Sequence, residues 1–112
     1  MSSNTLVAAS TKPIILTLLL SGESYGYQIL QRVRRVSGGK MKWSSAMLYP
    51  VLRRLENEGL IRSDWRVSDE NRMRKYYILT DLGRQELEVE KARWFDIQNA
   101  LSRLWDMAEA TE

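Results

Sequence analysis

The chain contains no cysteine and no histidine. Without cysteine it can form neither a disulfide nor a thiolate metal site. Without histidine it lacks the commonest general base and the commonest metal ligand. Long apolar runs are missing too. Residues 14–20 form an apolar run of seven broken by Thr17, where a membrane-spanning helix needs about 20. The run is also too short and too poorly flanked for a signal peptide, so a cytoplasmic protein without a membrane partner is expected. There is no glycine-rich phosphate loop, no nucleophile motif, no internal repeat and no low-complexity linker. Asp64, Asp69 and Glu70 are acids with no partner base. These absences argue against an enzyme and against any cofactor or metal.

What is present suits one small domain. The 112 residues are 44% apolar and include four tryptophans and five tyrosines. A core is feasible, but a chain this small gains from an oligomeric partner. The net charge of +3 is unevenly spread. From Ser24 to Leu55 there are seven cations (Arg32, Arg34, Arg35, Lys40, Lys42, Arg53, Arg54) and no acid. From Asp81 to the end there are eight acids and four cations, a net of −4. A basic half of this kind suits a nucleic-acid partner, although helices also wear charge on faces that only meet water.

Residues 44–83 carry the most information. Ser44 is a good N-cap, because its hydroxyl can accept from a free amide of the first helical turn. Leu48, Leu52 and Leu55 recur at spacings of four and three, and Val51 widens the stripe. Gly59 can take the left-handed conformation that ends a helix. Pro50 opposes this reading and predicts a kink. Residues 60–66 and 74–79 are strand-length, rich in aromatic and branched residues, and separated by a polar loop in which Asn71 can adopt a positive φ. Thr80 caps the next helix. Upstream, helices are predicted over residues 11–20, with Pro13 in the opening turn, and from Ser24 to about 36, with Tyr27, Ile29, Leu30, Val33 and Val36 as its apolar set. Residues 1–10 are expected to be frayed. A last helix is predicted from Asp81 to about 107.

The fold class is therefore mostly α with a small β-hairpin: a winged helix-turn-helix over residues 1–80, then a long C-terminal dimerisation helix over 81–112. Leu87, Trp94 and Leu101 are spaced by seven, as are Ile97 and Leu104, which makes a seam for a second copy of the chain. Glu90 interrupts it, and packing within the chain is the alternative. Ser44 and Ser45 at a helix N-terminus could donate to phosphates. Arg53 suits a phosphate contact, while Arg54 could instead pair with Glu58. Lys40 and Lys42 flank the turn before this helix. Arg72, Arg74 and Lys75 on the hairpin suit phosphate or minor-groove contact, and equally protect an edge strand from aggregation. One of Tyr76 and Tyr77 faces the core. Trp43 and Trp65 are expected as core anchors.

LYPVLRRLENEGLI followed by RKYYILTDLG, preceded by SGESYGYQIL, resembles the PadR family of bacterial transcriptional regulators over residues 11–105, and its compact branch in length. The one departure is the wing tip at residues 70–74, where relatives often carry glycine. The resemblance implies a homodimeric regulator of double-stranded DNA, a repressor by analogy. It favours Tyr49, in the LYP triplet, as a DNA contact over an aromatic packed under the wing. It also implies that Trp94 could stack on a small aromatic effector at the dimer centre, the alternative being a seam residue that only packs. A winged-helix module for protein contact is the rival reading.

Overall fold

The computed structural model describes residues 2–110, with side chains described from Val7 onward. Four helices and a three-stranded sheet follow in the order α1 (Ser2–Leu20), β1 (Ser24–Tyr25), α2 (Gly26–Val36), α3 (Ser45–Asn57), β2 (Ile61–Val67), β3 (Met73–Leu79) and α4 (Asp81–Ala110). The winged helix with a long C-terminal helix is thus present. The first helix differs from expectation: it is already helical at Ser2, so Pro13 lies in its interior and not in its opening turn. Met1 lies outside the described residues.

The second helix also starts later than the sequence suggests. Ser24 and Tyr25 pair with Tyr77 and Tyr76 as a third antiparallel strand, giving the order β1-β3-β2. A two-residue strand leaves no periodicity to read. Arg32 secures this corner, donating to the Leu18 carbonyl (3.0 Å), the Ser24 hydroxyl (3.1 Å) and the Ser21 hydroxyl (2.6 Å). That cation of the basic half is therefore structural.

The core is built by the stripes the spacing predicted. Leu48, Leu52 and Leu55 of α3 are fully buried with Ile15 and Leu16 of α1, Ile29 and Val33 of α2, and Ile61, Tyr77 and Leu79 of the sheet. Burying such side chains contributes roughly 1.5–3 kcal/mol each. Trp43 is a core anchor as expected, but Trp65 is not: it is 63% exposed on the wing. Tyr27 and Val36 are likewise exposed rather than part of the α2 core set. Helix α3 runs unbroken through Pro50. It ends where Gly59 takes φ +77°, which lets the Leu60 amide return to the Leu55 carbonyl (3.0 Å).

Helix α4 starts from Thr80, whose hydroxyl accepts from the Gly83 amide (3.0 Å) and donates to the Gly59 carbonyl (2.6 Å). Its first two turns pack on the core through Gly83 and Leu87. Leu87, expected in the seam for a second copy, is only 1% exposed within its own chain. The α4 seam open to a partner begins about two turns later. At 30 residues, α4 is roughly 45 Å long, and gives the molecule its 61 × 29 × 24 Å extent.

Candidate nucleic-acid interface

Helix α3 has one apolar and one polar side. Ser44 caps it by accepting from the Met47 amide (3.2 Å), and so leaves Ser45, Tyr49 and Arg53 along the exposed side. Tyr49 is 43% exposed. Its hydroxyl lies against Gly26 at the start of α2, where an added Cβ would overlap it. Glycine at 26 is therefore what allows Tyr49 to lie across the α2–α3 corner. Lys40 and Lys42 are exposed in the turn leading into α3, beside Arg34 and Arg35 at the end of α2. These exposed residues are cations and hydroxyls carried by the end of α2, the turn and α3. Among the described residues Arg54 and Glu58 form no ion pair; both are exposed.

The wing is a regular antiparallel hairpin in which Ile61 pairs with Leu79 and Val67 with Met73. Its tip is closed by Ser68, whose amide donates to the Arg72 carbonyl (2.8 Å), and by Asn71 at φ +60°. Asparagine takes this left-handed position more readily than most residues. The three wing cations expected to meet DNA have unlike surroundings. Arg72 is exposed at the tip. Lys75 lies 3.8 Å from the Glu56 carboxylate of α3, which also accepts from the Ser63 hydroxyl (2.5 Å). Arg74 stacks on the Tyr25 ring at 4.3 Å and reaches Glu70 at 3.4 Å. Of these three, Arg72 is thus the most open to an outside partner.

On the outer face of the sheet, Arg74, Tyr25, Tyr76 and Arg66 form a ladder. The two tyrosine rings meet edge to face at 5.4 Å, and Arg66 lies 5.4 Å from the Tyr76 centroid. Arg66 also donates to both carboxylate oxygens of Glu23 and to Asp64 (3.2 Å). Hydrogen bonding from Arg66 holds the Glu23 carboxyl below its ordinary range, and the same bonds raise the Arg66 guanidinium. The wing is thereby tied to the loop between α1 and β1. Burial pushes the Tyr77 hydroxyl up, with Tyr49 and Glu56 adding to the effect.

A cleft of about 380 Å³ separates α3 from the wing. Tyr49, Arg53 and Glu56 line one side, and Trp65, Met73 and Lys75 the other. Sequence reasoning assigned no role here to Trp65, Met73 or Tyr25. The period-two alternation of the strands could have placed Trp65 and Met73 on one face with Lys75, but it could not show that this face extends beyond the core.

At the far end of the molecule, α4 carries Ile97, Leu101 and Leu104 exposed, with Trp105 beside them. Trp94 is half-buried where this strip meets the chain's own body. It borders an apolar hollow of about 390 Å³ against Pro13, Ile14, Thr17 and Leu18 of α1, and a shallower one of about 280 Å³ with Ile97, Leu101 and Trp105. Glu90, which interrupts the seam, is 8% exposed and accepts from Arg93 (3.2 Å).

A helix with an exposed basic and hydroxyl-bearing side, followed by a cation-tipped hairpin, is a surface shaped for a duplex. A profile of the transcriptional regulator PadR-like family matches residues 15–89. The chain belongs to this family. It is 36% identical over 76 residues to the negative transcriptional regulator PadR of Bacillus subtilis, a match spanning 68% of this chain and 42% of that protein. It is 31% identical over 88 residues to an uncharacterised protein of Lysinibacillus sphaericus, covering 79% and 81% of the two chains. The crystal structure of a PadR-like transcriptional regulator from Bacillus cereus superposes with a TM-score of 0.80 at 27% identity, covering 89% of this chain and 95% of that one. As a PadR-family protein the chain is a DNA-binding transcriptional regulator and not an enzyme. Among the described residues no helix is long and apolar enough to cross a membrane.

Proposed function

We propose that this PadR-family chain is a cytoplasmic repressor that grips a pseudo-palindromic operator as a homodimer and releases it when a flat aromatic effector enters beside Trp94. The observation that carries the dimer is the strip of Ile97, Leu101 and Leu104, left 52%, 40% and 58% exposed on α4. Contiguous apolar residues at this spacing are stable in water only when something covers them, and a second α4 offers the matching face. Two-fold symmetry would then present two α3 helices roughly 34 Å apart, one helical turn of duplex. Residues 1–80 supply the DNA-binding part and 81–112 the dimerisation helix, with the first two turns of α4 serving the core; residues 111 and 112 lie outside the described residues. DNA contact is assigned to Lys40, Lys42, Ser44, Ser45, Tyr49, Arg53 and Arg72, with Lys75 and Arg74 held by Glu56 and Tyr25 beside them. Repression is supported by the negative regulator of Bacillus subtilis to which the chain is similar. The Trp94 hollow, lined by Pro13, Ile14, Leu18 and Val36 as well as by Ser10, Thr17 and Lys91, supports the effector through its mostly apolar surface.

Sedimentation of Leu101→Glu and Leu104→Glu tests the dimer. Each should run as a folded monomer, because a charge enclosed in an apolar seam without a partner is strongly disfavoured. A dimer that survives both substitutions would place the interface off α4.

A further inference from the structure

The major and minor grooves of a duplex share a sugar–phosphate strand as their common wall. A helix in one groove and a hairpin in the next must therefore straddle that strand. In this chain the space between them is the cleft of about 380 Å³ between α3 and the wing. The inference rests on the DNA-binding reading above and deepens it.

The cleft has two unlike walls. Helix α3 presents the Tyr49 hydroxyl and the Arg53 guanidinium. The wing presents Trp65 and Met73, each 63% exposed; Val67, the cross-strand partner of Met73 and 59% exposed, lies next to them outside the cleft lining. Single exposed apolar side chains need no explanation, but three on one face of a hairpin tip do. A duplex backbone is divided in the same way, with anionic phosphate oxygens beside apolar deoxyribose carbons. Charge favours such an occupant. The cleft is lined by Arg53, Arg74 and Lys75 and by one acid, Glu56; Lys75 is engaged with Glu56 and Arg74 with Glu70, which leaves Arg53 as the lining cation without an ion pair among the described residues. A second copy of this face would bring the same excess of cations and be repelled.

We propose that the α3–wing cleft seats one sugar–phosphate strand of the operator, with Arg53 on a phosphate and Trp65, Met73 and Val67 packed on deoxyribose carbons. Apolar packing displaces no condensed counterions, so this part of the grip is insensitive to salt, unlike the phosphate contacts.

The probe is a duplex recovered from a randomised pool by the full chain, titrated from about 50 to 300 mM salt. Trp65→Ala should bind roughly tenfold more weakly at every salt concentration with an unchanged log–log slope, and Trp65→Phe should recover most of the loss. Met73→Ser should behave as a milder Trp65→Ala. Arg53→Ala, by contrast, should flatten the slope by about one. Thermal unfolding midpoints equal to the parent's would separate lost contact from lost fold. Parental affinity in both Trp65→Ala and Met73→Ser overturns the seat, as does a slope change like that of Arg53→Ala. A loss traced by sedimentation to separation of the two copies also overturns it and assigns the face to self-association. If the parent recovers no duplex, the DNA-binding reading itself fails, and it does so before any variant is compared.

Discussion

Glu56 is the residue whose role depends most on its neighbours. It is the one acid lining a cleft that also holds Arg53, Arg74 and Lys75, and it engages Lys75 at 3.8 Å and Ser63 at 2.5 Å. An anion placed here lowers the affinity of the cleft for any polyanion and occupies a lysine that would otherwise release a counterion. Glu56→Gln should therefore tighten binding to unrelated duplexes several-fold at low salt and steepen the salt slope by about one. Fluorescence anisotropy with an arbitrary mixed-sequence duplex measures both; an unchanged slope would mean that Lys75 stays out of reach of phosphate even when freed. Arg74 differs from Lys75 although the sequence sets them side by side. Its guanidinium lies on the Tyr25 ring at 4.3 Å, a stack that a lysine would not reproduce.

Helix α3 is held by its buried leucines, and polar contacts secure its N-terminus and the wing. At the α3 N-terminus the Ser44 hydroxyl satisfies the Met47 amide, and Ser44→Ala should cost about 1 kcal/mol of unfolding free energy. Denaturant titration reads this as a lower midpoint with an unchanged slope; no shift would mean that water replaces the cap without loss. At the wing, the tie is Glu23 with Arg66. The Glu23 carboxyl is lowered in the folded protein. Its contribution is therefore present above the ordinary carboxylate value of 4.5 and is lost as pH falls through the lowered folded value. Hydrogen exchange should show β2 and β3 opening more readily as pH drops through that window, after correction for intrinsic exchange. In Arg66→Ala this pH dependence should vanish and the Glu23 carboxyl should titrate normally by carbon-detected NMR.

Over the whole molecule, regulation requires that what happens at α4 reaches α3. Leu87 locks the start of α4 into the core that also holds Leu48 and Leu52, while Trp94, two turns on, stands beside an apolar hollow. In the proposed dimer, a helix fixed in this way to the DNA-binding body would turn a change in α4 crossing into a change in the separation of two recognition helices. A flat aromatic dye should quench tryptophan fluorescence on binding, and Trp94→Ala should reduce its affinity roughly tenfold, a stacked pair contributing about 0.5–1.5 kcal/mol beyond area burial. The dye should loosen DNA only if it prefers one helix separation, since equal affinity for both states shifts nothing. Undiminished binding in Trp94→Ala would leave Trp94 as a packing residue.

Local chemistry determined much of this protein in advance. The four-and-three spacing of Leu48, Leu52 and Leu55, the hydroxyl of Ser44, the glycine at 59 and the alternation in the hairpin act within a few residues, so the sequence by itself dictated α3, its cap, its stop and the wing. The exposed side of α3 followed, because a helix with one buried stripe has a fixed opposite face. What only the tertiary structure decided depends on partners distant in the chain. Ser24 and Tyr25 became a strand because β3 offered them a free edge far along the chain, at Tyr77 and Tyr76. Leu87 left the seam for the core because α4 packs along α1 before it reaches water. Trp65, read as a core anchor from its size, is exposed because β2 outruns the body it packs on. Arg74, Lys75 and Arg72 look alike in sequence. Tyr25, Glu56 and solvent, brought to them by the fold, are what set them apart.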